Sequence, residues 1–200
     1  MVVARRIVTA RCAGMIIDFQ DFFLVQLDKF ARPKIKANIM SFARLLGYFR
    51  IPVIATLERP VMHKGALPKE IVRSLGREAD VLEKDYFDLT KERRIKEHLG
   101  RLNRKQIIVC GCETDVCVLQ SCLGLLVLGY EVYVVEDLLF SSSRNVESAI
   151  FRMRAAGAIL LSYKTLYYEL LEAVEGGRHA ETLFAAFGPM PEDLACTALE

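Results

Sequence analysis

Short apolar runs and longer amphipathic stretches alternate along this chain, and that alternation restricts it to folds built from repeated strand and helix units around a parallel sheet. GMIID (14–18), PVIATLE (52–58), a weaker run at 80–82, QIIVCG (106–111), YEVYVVED (130–137) and AILLS (158–162) read as six strands. After Pro33, apolar residues Ile35, Ile39, Phe42, Leu45, Leu46 and Phe49 follow helical spacing, which predicts an amphipathic helix to Arg50. Further helices are expected at 69–75, at 90–99 between a Thr90 cap and Gly100, and at 115–128 between Thr114 and Gly129. Two more are expected at 145–156 and 166–174, and the acidic stretch from Gly176 predicts a peripheral helix and a tail. No linker divides the 200 residues, so the expectation is a single domain over 1–200 with its core at about 13–175.

Composition narrows the function classes. Lys and Arg number 27 against 25 Asp and Glu, and a net charge of +2 provides no general field for a phosphate polymer, so nucleic acid is not expected as a partner. The longest uncharged stretch, Val116 to Tyr130, has 15 residues. That falls short of the ~20 a bilayer requires, so no membrane partner is expected either. The cysteines at 12, 110, 112, 117, 122 and 196 follow no secretory signal, which points to free thiols in a reducing, cytoplasmic setting. Three Arg and no acid before Asp18 leave a mitochondrial transit segment as the alternative. The cysteine spacings do not pair as zinc knuckles do, and GxGxxG, GxxxxGK[ST], HExxH and GxSxG are absent, so neither metal nor cofactor is expected.

Ligands of open parallel sheets bind beyond the carboxyl ends of the strands. Asp18, Thr56 to Arg59, Lys84 and Cys117 fall at such ends. With Thr114 as cap, Cys117 is the third residue of a first helical turn, where unpaired amides favour a thiolate; the alternative is a small buried hydrophobe. Asp18 could take the thiol proton or cap the next turn, and Lys84 could supply a local charge or lie in solvent. His63, His98 and His179 are at no clear strand end, so a nucleophilic Cys117 needs a carboxylate as its base. A nuclease would need clustered acids or a His pair, and the spacing reveals neither.

These residues carry a family likeness. IIVCGCETDVCVLQSCLGLLVLGYEVYVVEDLLFSSS resembles the signature block of the isochorismatase-like cysteine hydrolases; MIIDFQ resembles their first-strand motif, and the Lys of VLEKDYFDL stands where they have a lysine. TLERPVMHKGALPKE and RNVESAIFRMRAAGAILLS are similar to the eukaryotic isochorismatase-domain-containing proteins and their metal-free bacterial relatives. The resemblance implies a three-layer Rossmann-like α/β fold, with a six-stranded parallel sheet in the order 3-2-1-4-5-6 and helices on both faces. It implies a catalytic triad of Asp18, Lys84 and Cys117, and a cis peptide at Cys112–Glu113 that turns backbone amides toward an oxyanion. Phe19, Phe23, Thr56, Glu58 and Tyr86 stand beside the triad as candidate substrate contacts. It also implies a small-molecule substrate and a homo-oligomer, dimer or tetramer. Nicotinamidases of the family bind metal through an Asp-x-His pair and a further His after strand two; here only His63 stands in that loop. The expected chemistry is hydrolysis of an amide-like C–N bond through a thioester. The alternative is an oligomeric binding protein that keeps the site without turnover, since loop 59–68 names no ligand.

Overall fold

The computed structural model describes residues 5–75, 79–174 and 176–188. The chain runs β1 (Cys12–Ile17), α1 (Asp21–Leu24), α2 (Ala31–Tyr48), β2 (Val53–Glu58), α3 (Val61–Lys64), α4 (Lys69–Ser74) and β3 (Ala79–Lys84). It continues through α5 (Arg93–Leu102), β4 (Gln106–Gly111), α6 (Leu119–Val127), β5 (Glu131–Leu139), α7 (Glu147–Ala155), β6 (Ile159–Leu161), α8 (Tyr163–Leu171) and α9 (Arg178–Phe187). All strand pairs are parallel, in the order 3-2-1-4-5-6, as expected.

β1, β2 and β4 are buried along their whole length, because helices cover both faces of the sheet. One apolar cluster joins the sheet to α2 and α8 through Phe42, Leu45, Leu166 and Leu170. The other joins it to α5, α6 and α7 through Ile95, Leu125 and Met153. The order reverses at β1, whose neighbours β2 and β4 lead the chain away in opposite directions, and in open parallel sheets the carboxyl ends at such a reversal are where ligands bind.

Several expected boundaries move. Asp88 rather than Thr90 caps the 89–92 region, its carboxylate accepting the Thr90 amide at 2.9 Å over a 3-10 turn. α5 then passes through Gly100 and ends at Asn103, whose φ of 50° supplies the left-handed stop. Thr114 opens a π turn (Thr114–Val118), and its hydroxyl donates to the Phe140 carbonyl at 3.0 Å instead of capping. Ser162 caps α8 earlier than expected by accepting the Thr165 amide. The expected peripheral helix is α9, and the tail beyond 188 lies outside the described residues.

Candidate active site

Asp18 follows the last residue of β1 with φ at 48°, a left-handed conformation that Asp tolerates better than most side chains. Its amide bonds the Thr56 carbonyl at 3.1 Å, and its carbonyl accepts the Gln20 amide at 2.8 Å, which closes a tight turn. Next to it, β4 ends on Gly111 with φ at 120°. A Cβ there would sit 2.1 Å from the Ile17 carbonyl oxygen, so only glycine permits this approach. The closeness brings the Cys112 thiol to the Asp18 carbonyl at 3.1 Å. The Cys112–Glu113 peptide is cis, and the π turn that follows carries Cys117. Such turns recur at functional sites.

Four chain segments converge here, the ends of β1, β2 and β3 and the π turn. The Lys84 ammonium lies 2.6 Å from Asp18 Oδ2, with neither side chain exposed, and 3.5 Å from Cys117 Sγ. The Thr56 hydroxyl donates to Asp18 Oδ1 at 2.8 Å. The thiol of Cys117 donates to Glu58 Oε2 at 3.1 Å, and that oxygen is 3.7 Å from Lys84. Glu58 Oε1 accepts from Lys64, the last residue of α3. The buried Gln20 side chain braces the Glu58 backbone on both sides, its Oε1 accepting the amide at 2.7 Å and its Nε2 donating to the carbonyl at 3.2 Å.

Asp18, Glu58 and Cys117 each offer an atom of metal-ligand type, all within 4.8 Å of one another. Two acids therefore do cluster, against the expectation from spacing. The Lys84 ammonium sits among them and supplies the positive charge they share.

Burial sets the proton affinities. It raises the Asp18 carboxyl above its ordinary range, outweighing the Lys84 charge and the Lys84 and Thr56 hydrogen bonds. It also works to raise Glu58, but there the hydrogen bonds from Lys64 and Cys117 and the two ammonium charges win and hold the carboxyl low. Burial disfavours the Lys84 ammonium, yet the charges of Asp18, Cys117 and Glu58 outweigh it and raise that group. For Cys117, burial and then the Asp18 charge push the thiol up more strongly than Lys84 pulls it down. This corrects the expectation of a resting thiolate: desolvation beats the favourable turn position. Burial likewise pushes Cys12 and Cys122 up to about 12.

Of the candidate substrate contacts, Thr56 and Glu58 reach the triad directly. Phe19 is fully buried, edge-on to Phe140 at 5.5 Å, and Phe23 is 7% exposed, whereas Tyr86 lies at the surface. Cys117 is only 2% exposed. Within the charged set, exposure is confined to Glu58 and Lys64, at 11% and 20% of their side chains, so these two are its members that meet solvent. The Glu58–sulfur contact and the part of Lys64 were not anticipated. A readable signal existed, since Glu58 and Lys84 are paired last residues of neighbouring strands.

A doubly wound parallel sheet with an acid, an ammonium and a thiol gathered at its switch point describes a Rossmann-like α/β scaffold. The isochorismatase domain model matches residues 12–165, and the chain belongs to the isochorismatase-like hydrolase family. It is 32% identical over 181 residues to isochorismatase family protein 2A of Dictyostelium discoideum, covering 84% of this chain and 86% of that protein. It is 36% identical over 138 residues to the secreted isochorismatase effector Isc1 of Phytophthora sojae, covering 66% of this chain and 63% of that protein. Two solved structures share the fold. The YcaC gene product of Escherichia coli, described as an octameric hydrolase of unknown specificity, superposes with a TM-score of 0.81 at 24% identity, over 94% of this chain and 93% of that one. The MAR1 ribonuclease of Caenorhabditis elegans does so at 0.78 and 24%, over 98% and 99%. No helix among the described residues is long and apolar enough to cross a membrane.

Proposed function

We propose that the chain is a cysteine-dependent hydrolase that cleaves an amide-like C–N bond of a small molecule. The carrying observation is the Lys84 ammonium lying between the Asp18 carboxylate and the Cys117 sulfur. Asp18, the carboxyl that burial makes the stronger base of the two, takes the thiol proton. Lys84 then transfers its ion pair from Asp18 to the sulfur. The thiolate adds to the carbonyl carbon, and the C=O electron pair moves to oxygen, which backbone amides near Glu113 and Cys117 receive. Collapse breaks the C–N bond, and the proton on Asp18 leaves with the amine. Water next adds to the thioester while Asp18 accepts its proton; the C–S bond breaks, and that proton returns to sulfur.

Lys84 in the position between the two acids favours this acyl chemistry over metal-assisted phosphodiester cleavage. The octameric state named for E. coli YcaC supports a homo-oligomer, which sedimentation checks.

The test is intact-mass spectrometry after exposure to p-nitrophenyl acetate and a panel of small amides. An acyl group on Cys117, and loss of hydrolysis by about a hundredfold or more in Cys117→Ala, are expected. Full activity in Cys117→Ala overturns the reading. The near-complete burial of the sulfur favours one rival, a binding protein without turnover, and that rival predicts amide binding with no acyl adduct at any time point.

A further inference from the structure

The second oxygen of Glu58 points away from the sulfur into a small cage. Its walls are Phe22 and Phe23 on α1, and its occupant is the Lys64 ammonium, 6.0 and 5.8 Å from the two ring centroids and hydrogen-bonded to Glu58 Oε1. A carboxylate together with aromatic faces within ~6 Å is the chemistry that recognises organic cations. Here it adjoins the sulfur, because Glu58 spans the two with one oxygen on each. We propose that this cage is the specificity pocket, and that the substrate carries a cationic ammonium group close to its scissile carbonyl, the place of which Lys64 holds in the free chain.

The placement of Lys64 suits a displaceable occupant. It is the last residue of a single-turn helix, it precedes Gly65 at φ 87°, and its side chain is 20% exposed, so its flexible stem can carry the ammonium out to solvent. Glu58 cannot follow, since Gln20 holds its backbone on both sides and donates to the Gly65 carbonyl at 2.7 Å as well. The cage thus remains when its occupant leaves. A substrate cation keeps Glu58 neutralised. Anionic substrates would face Glu58 and Asp18; neutral ones that displace Lys64 would leave Glu58 only the Lys84 ammonium, which it shares with Asp18.

This inference rests on the hydrolase reading for the position of the carbonyl. Three amides test it: betaine amide, its uncharged isostere tert-butylacetamide, and the anion succinamate. Calorimetric titration of Cys117→Ala/Lys64→Met, with Cys117→Ala/Lys64→Gln as a second background, keeps each ligand unreacted and the cage vacant. Betaine amide should bind at least about tenfold more tightly than either of the others, the range expected for a partly desolvated cation on aromatic faces and a carboxylate. Adding Glu58→Gln should abolish the preference, and restoring Lys64 should weaken betaine amide binding. Equal affinities, a preference for succinamate, or no binding of betaine amide in either background overturns the proposal. The two readings fail separately, because hydrolysis retained by Cys117→Ala removes the thioester without altering these affinities.

Discussion

The Lys84 ammonium and the Asp18 carboxylate meet at 2.6 Å, and neither side chain reaches solvent. Two charges so placed stabilise each other only as a pair. Lys84→Met should therefore cost about 3–5 kcal/mol, because it strands a buried carboxylate. The double variant Asp18→Asn/Lys84→Met should recover most of that loss in urea denaturation while hydrolysing nothing. A double variant as unstable as the single one would show that the cost comes from packing.

Thr56 extends this pair. Its hydroxyl donates to Asp18 Oδ1 and receives the Asp18 amide at 3.3 Å, all in a buried setting. Thr56→Val conserves shape and removes both bonds, so a loss of about 1–3 kcal/mol is expected. Unchanged stability by denaturant titration would mean that water or another donor takes over.

The raised thiol of Cys117 makes a kinetic statement. At pH 7 the resting protein should react with iodoacetamide more slowly than a free cysteine peptide, and the rate should climb with pH beyond the point where the peptide levels off. The sign follows from the cause: burial and the Asp18 charge disfavour the thiolate, so less of it exists at any given pH. Fast labelling at neutral pH would show that Lys84 dominates.

The parts of this fold that periodicity controls were legible beforehand. Helices such as α2 and the strand-end positions of Asp18, Lys84 and Cys117 follow from apolar spacing, whereas the strand order came from the resemblance of the motifs to the family. What escaped depends on contacts between segments. Gly100 looked like a stop, yet nothing lies within 4 Å of a Cβ built there, and α5 runs on until Asn103 turns left-handed. Thr114 looked like a cap, but the Phe140 carbonyl from the end of β5 claims its hydroxyl and its amide. The proton affinity of Cys117 depends on how deeply tertiary packing buries it, which no local pattern encodes. Lys64 reaches Glu58 through a loop whose path includes a cis Arg59–Pro60 bond.

Glycines separate strain from space. Gly111 and Gly129 both have positive φ, at 120° and 81°. At Gly111 a Cβ meets the Ile17 carbonyl at 2.1 Å, whereas at Gly129 nothing lies within 4 Å. Gly129→Ala should thus cost about 1–2 kcal/mol, the penalty of the left-handed conformation alone. Gly111→Ala should cost above about 3 kcal/mol, because β1 and β4 must part. It should also abolish hydrolysis, since that displacement moves Asp18 away from Cys112 and the turn behind it. Equal thermal shifts in the two variants would contradict the close approach.

Glu58 ties the site to pH. Its folded-state affinity for protons is held below the ordinary 4.5 because the Lys64 and Cys117 hydrogen bonds and two ammonium charges overcome the burial that would raise it. A carboxyl lowered on folding contributes stability that is complete above its unfolded value and disappears as pH falls through its folded one. The stability difference between the wild type and Glu58→Gln should accordingly be constant from pH 7 down to about 5 and shrink below that. Denaturant titrations across this range measure it directly. A difference that grows on acidification would mean that burial governs Glu58 after all, and that Lys64 is not its partner in solution.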